Sequence, residues 1–172
     1  MKRVIVFTAL LQVAAAGALE LPHAPALGSG LEALDRGQFA CTAVNSGVLC
    51  RSERVSNLIF EGEPVRSLVL FYRGGVLARA TVALDEARFE AIAELLRAQF
   101  GAGEERPERL KAGMGGAFAN PIRVWRDRGD TVMLERYFER IIHSGVTVMR
   151  KAEFAALMAE RDASRVRGVR DL

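Results

Sequence analysis

LVLFYRGGVLARATVALDEARFEAIAELLRAQFG, residues 68–101, decides how this chain folds. Its first part alternates. Successive side chains of a strand point to opposite faces, so Leu68, Leu70 and Tyr72 lie on one side and Val69 and Phe71 on the other. Both sides are apolar, which predicts a central strand or one covered by a helix. Arg73-Gly74-Gly75 is a tight-turn signal. Val76 to Leu84 returns as a second strand, with Arg79 and Thr81 opposite Ala78, Ala80 and Val82. At Asp85 the period changes. Aspartate is a good helix N-cap, and Leu84 and Phe89 occupy the positions of a hydrophobic staple. Phe89, Ile92, Ala93, Leu96 and Phe100 then recur at helical spacing as one apolar stripe. Gly101 stands where a helix ends in left-handed backbone. A helix lying across an antiparallel hairpin is the expected core.

Upstream, the first 18 residues read as a secretory signal peptide. Lys2 and Arg3 precede an apolar run from Val4 to Gly17, and Ala16-Gly17-Ala18 supplies small residues at a cleavage site. The run has about 14 residues where a membrane span needs about 20, and Glu20 and Pro22 follow it at once. No transmembrane span is expected after cleavage. Removing residues 1–18 takes away two cations and no acid, so the net charge falls from +3 to +1. A near-neutral surface carries no electrostatic footprint for nucleic acid.

Export bears on the two cysteines, Cys41 and Cys50, in FACTAVNSGVLCR at 39–51. Disulfides persist in oxidising compartments. A CxxC redox pair has the wrong spacing. A metal site would need further ligands, and His23 and His143 are far apart in sequence. Phe39 to Thr42 and Val48 to Arg51 read as strands joined by an Asn45-Ser46-Gly47 turn. A structural disulfide across that hairpin is expected, stabilising by about 2.5–3 kcal/mol in the chain-entropy model.

Residues 19–38 show no clear periodicity and read as a poorly ordered lead-in. Residues 101–121 hold five glycines and two prolines and read as a long loop, either disordered or functional. A second hairpin is predicted at 122–127 and 131–137, a last strand at 145–149, and a helix from Lys151 to about Arg167 with Phe154, Leu157 and Met158 on its apolar side. The domain is thus residues 39–150, with a C-terminal helix and tail at 151–172. Strands adjacent in sequence predict an α+β class: two layers, a mostly antiparallel sheet of hairpins covered by one main helix, plus the C-terminal helix.

Cys50-Arg51, GEPV at 62–65, LVLFYRGGVL at 68–77, AQFG at 98–101, VW at 124–125 and LERY at 134–137 resemble small exported proteins of Gram-negative bacteria. The resemblance covers residues 39–150. It implies a two-layer fold and a periplasmic or secreted location, and it transfers no catalytic residue.

Motifs that might carry chemistry also have plain structural readings. His143-Ser144 lacks a GxSxG context, and neighbours on a strand project apart. Gly113-Met114-Gly115-Gly116 has neither the spacing of a dinucleotide loop nor the lysine of a phosphate loop. Arg128-Gly129-Asp130 suits a hairpin turn. Glu61, Glu63, Glu104, Glu105, Asp127 and Asp130 show no acid–base pairing and read as solvated loop charge. No catalytic residue, metal ligand or cofactor is assigned. Aromatics dominate interaction hot spots, so Met114, Phe118, Trp125 and Tyr137 are the candidates for an interaction surface, with core packing the more common role for each aromatic. The expected function is non-enzymatic binding of another protein, periplasmic or of the envelope, or of another envelope component. The alternative is an exported hydrolase.

Overall fold

The computed structural model describes residues 19–52, 54–55, 57–111, 117–127 and 129–170. The expected signal peptide at 1–18, the glycine run around Met114, and Arg128 lie outside the described residues.

The strands are β1 (Ala40–Val44), β2 (Gly47–Ser52), β3 (Ile59–Phe60), β4 (Glu63–Pro64), β5 (Ser67–Arg73) and β6 (Val76–Asp85). Helix α1 (Phe89–Phe100) follows, then β7 (Glu104–Glu105), β8 (Glu108–Lys111), β9 (Ala117–Asn120), β10 (Ile122–Asp127), β11 (Asp130–Glu135), β12 (His143–Arg150) and α2 (Lys151–Arg170). Eight strands form one sheet in the order β1-β2-β5-β6-β12-β11-β10-β7. Each neighbouring pair in it is antiparallel. β3–β4 and β8–β9 are separate two-stranded ribbons. The class is therefore α+β, as the hairpin order predicts.

The quoted stretch forms the expected hairpin and helix. Asp85 caps through its side chain, with Oδ1 accepting from the Ala87 N–H at 3.1 Å, but a short 3₁₀ turn at Glu86–Arg88 intervenes before α1. Gly101 ends α1 at φ +81° and donates its N–H to the Arg97 carbonyl at 2.8 Å. β12 lies between β6 and β11, which joins the two hairpins into one sheet.

The layering differs from the expected single covering helix. On one face, Leu68, Leu70, Val82, Leu134 and Val146 pack with Phe89, Ile92, Ala93 and Leu96 of α1. On the other face, Ile122, Val124, Met133 and Met149 pack with Phe154 and Leu157 of α2. The sheet is thus the middle layer. The physical reason is that β10, β11 and β12 each present apolar side chains on both faces, and an uncovered face would leave them in water. The far part of the α2 side carries polar cover. Phe71 lies under two guanidiniums, Arg79 at 4.1 Å and Arg73 at 5.2 Å from the ring centre. Both arginines bond to Glu153 of α2, at 3.1 and 2.8 Å. Beside them the hydroxyls of Thr81 and Thr147 hydrogen-bond at 2.8 Å, buried.

Residues 19–38, expected to be poorly ordered, bury Leu19, Leu21 and Leu34 in the α1-side core. Their backbone is tied to the β5–β6 hairpin: Gly28 N–H donates to the Leu77 carbonyl and Leu77 N–H to the Ser29 carbonyl, both at 2.8 Å. The disulfide is present between Cys41 and Cys50, which sit directly opposite each other on β1 and β2.

Candidate functional site

The segment expected as one long loop holds three strands. β7 adds to the sheet edge beside β10. β8 and β9 form an antiparallel ribbon in which Glu108 pairs with Asn120 and Leu110 with Phe118. Alternation puts these four side chains on one face of the ribbon. That face looks across a cleft of about 550 Å³ to the connection between β11 and β12, residues 136–142.

Asn120 fixes the base of the ribbon. It is 1% exposed. Its Oδ1 accepts from the Tyr137 N–H at 2.9 Å, and its Nδ2 donates to the Tyr137 carbonyl at 3.3 Å. One side chain thus replaces a strand partner and satisfies both backbone groups of Tyr137. The Tyr137 ring meets Phe118 edge-on, with centroids 5.3 Å apart and planes at 78°. Such a pair adds about 0.5–1.5 kcal/mol beyond area burial.

The opposite wall is the 136–142 turn. Phe138 lies on Gly145 of β12, where an added Cβ would stand 2.7 Å from the ring. Glu139 adopts φ +58° and is ion-paired with Arg51 of β2. Ile141 lines the cleft and is 67% exposed, more than any other large apolar side chain among the described residues; its neighbour Ile142 is 60% exposed.

The floor is charged. Arg161 of α2 donates to Glu135 at 2.9 and 3.0 Å and to Glu108 at 3.0 Å. Both carboxylates belong to buried residues. Burial pulls the Arg161 pKa down, but the hydrogen bond and charge of Glu135, with Glu108 behind it, outweigh that and hold it above its ordinary value.

No known protein family, curated protein or solved structure matches this chain. The site therefore rests on its own geometry. Of the residues singled out in the sequence, Phe118 and Tyr137 meet in the cleft. Trp125 does not join them. It is 3% exposed, packs in the α1-side core, and its indole N–H donates to the Gly101 carbonyl at 2.9 Å. Met114 lies outside the described residues. Asn120, Glu135, Ile141 and Arg161 escaped sequence reasoning. Only the adjacent pair Ile141-Ile142, in the same turn as Tyr137 and Phe138, was a usable signal.

His143 and Ser144 form no catalytic pair. They alternate on β12, and Ser144 Oγ is buried and donates to the Asp85 carbonyl at 3.3 Å. Glu63 pairs with Arg88, Glu104 with Arg106 and Arg126, and Glu105 with Arg123. Gly129 takes φ +116° in the β10–β11 turn, as a hairpin reading of that tripeptide requires. Among the described residues no cluster of three or more His, Cys, Asp or Glu side chains is arranged to hold a metal ion. No described helix is long and apolar enough to cross a membrane.

A larger concavity of about 840 Å³ lies along residues 19–27 and 59–61, with Val148 and Arg150. Phe60 lines it, but among the described residues it has no edge-on aromatic pair like Phe118–Tyr137 and no floor like the Arg161 ion pairs. Leu19 and Leu21, which line it, are themselves core side chains.

Proposed function

We propose that this chain is an exported periplasmic protein that binds an apolar side chain of another envelope protein in the cleft between the β8–β9 ribbon and the 136–142 turn. The observation that carries this reading is the Phe118–Tyr137 pair in a cleft that is also lined by Ile141, which stands in solvent. Exposed apolar groups beside a concave aromatic wall are characteristic of recognition sites. The apparent N-terminal signal and the Cys41–Cys50 disulfide support an oxidising location. The cleft's two buried carboxylates both accept from one guanidinium, an arrangement that suits a fixed floor better than proton transfer.

Site-specific photo-crosslinking tests this reading in the exported protein. A photoreactive residue at position 141 should link to a discrete envelope protein, and Phe118→Ala should reduce that product at least about fivefold. The same probe at Glu94, exposed on the outer side of α1, should give no such product. Equal products at both positions would rule the cleft out.

A further inference from the structure

We propose that the chain forms a two-fold homodimer in which β1 of one copy pairs antiparallel with β1 of another. The two ends of the sheet are built differently. At one end β7 is two residues long, Glu104 and Glu105, both charged and ion-paired. Short, charged edges are the usual protection against strand pairing. At the other end β1 is five residues long, Ala-Cys-Thr-Ala-Val, and all five are exposed. No described strand lies beyond it. No charge occurs from Gln38 to Cys50, in a chain that is 26% charged. Nothing on this edge repels a second edge of the same kind.

The backbone register makes β1 complementary to itself. Cys41 and Cys50 face each other with Cα atoms 4.0 Å apart. A hydrogen-bonded antiparallel pair stands at about 5.5 Å and a non-bonded pair at about 4.5 Å, so this pair is of the second kind. Cys41 therefore aims its N–H and C=O away from β2, and by alternation so does Ala43. A two-fold axis through Thr42 sets Cys41 of one copy against Ala43 of the other. Each of these two equivalent pairs exchanges two main-chain hydrogen bonds, four in all. Thr42 then faces Thr42 across the axis, a favourable cross-strand pair. Ala40 faces Val44, which is 43% exposed in the single chain. The disulfide anchors β1 to β2, so the edge is held extended before a second copy arrives. This dimer uses a surface separate from the cleft and does not depend on the proposed function.

Sedimentation equilibrium of the oxidised protein, from about 1 µM to 1 mM, tests the inference. The wild type should approach twice the single-chain mass as concentration rises. Thr42→Lys places two ammoniums opposite each other and should raise the dimer dissociation constant at least about tenfold, whereas Thr42→Val should leave it within about threefold. Ala43→Pro removes an outward N–H without touching the bonds to β2 and should weaken the dimer like Thr42→Lys. Circular dichroism checks that each variant folds. A single-chain mass at every concentration would overturn the proposal. So would a dimer that both Thr42→Lys and Ala43→Pro leave intact.

Discussion

Arg161 of α2 meets Glu135 of β11 fork to fork, with Nη1–Oε1 at 2.9 Å and Nη2–Oε2 at 3.0 Å. The same Nη1 reaches Glu108 on the β8–β9 ribbon. One guanidinium therefore links a helix, the main sheet and the ribbon beneath the cleft. The Glu135 side chain is 4% exposed and that of Glu108 10%, and Arg161 bonds to both.

Arg161→Ala leaves two buried carboxylates without it. Removing one member of a buried pair costs about 3–5 kcal/mol. Because Arg161 keeps some contact with water, about 3 kcal/mol is expected in urea unfolding. Arg161→Lys should recover only part of this, since an ammonium cannot match the fork. A loss under about 1 kcal/mol for Arg161→Ala would show that the floor does not hold the ribbon.

Gly103 lies against the indole of Trp125, and a Cβ there would stand 2.7 Å from Cε2. The ring is pinned by its bond to Gly101 and cannot withdraw freely. Gly103→Ala should destabilise by about 1–3 kcal/mol through overpacking. Trp125 is the only tryptophan, so its emission spectrum should shift to the red as the ring gains water. An unchanged spectrum with unchanged stability would contradict this packing.

The Thr81–Thr147 hydrogen bond permits a double-mutant cycle. Thr81→Val strands one buried hydroxyl and should cost about 1–3 kcal/mol. Replacing both threonines by valine keeps the shape and removes both polar groups. The double variant should be more stable than either single one. Strict additivity would show that the hydroxyls are not coupled.

Glu104 accepts hydrogen bonds from Arg106 and from Arg126, which lies at 2.7 Å, and these hold its carboxyl below the ordinary glutamate range. A lowered folded-state pKa means that the stabilisation is fully present above the unfolded value. It fades as pH falls through the folded one. Because Glu104 is well exposed, the gain is small and screened by salt. Carboxyl NMR titration should give a Glu104 midpoint below the ordinary glutamate range, and Arg126→Gln should move it upward. A midpoint indifferent to Arg126→Gln would mean that the pair does not persist in solution.

Residues 68–101 were legible because each local signal agreed. Alternation, the Gly-Gly turn, the Asp85 cap and the α1 stripe all pointed to one hairpin and one helix. The cysteine hairpin was legible for the same reason. The 101–121 segment was not. β8 and β9 are four residues each, and β7 only two. Their order comes from partners elsewhere in the chain, including Arg161, 53 residues beyond Glu108. From the sequence Trp125 reads either as a core side chain or as part of an interaction surface, and the fold packs it in the α1-side core.

What the sequence determined by itself was local. It set the hairpins, α1, the disulfide partners and the α+β class, since these depend on side-chain period, turn chemistry and neighbours a few residues apart. What only the tertiary structure decided was non-local. β12 lies between the two hairpins, α1 and α2 take opposite faces, and Asn120, Glu135, Tyr137 and Arg161 converge from two strand ends, a turn and a helix. Those outcomes follow from burying both faces of one sheet and neutralising the charges trapped there. No short window of the chain carries that information.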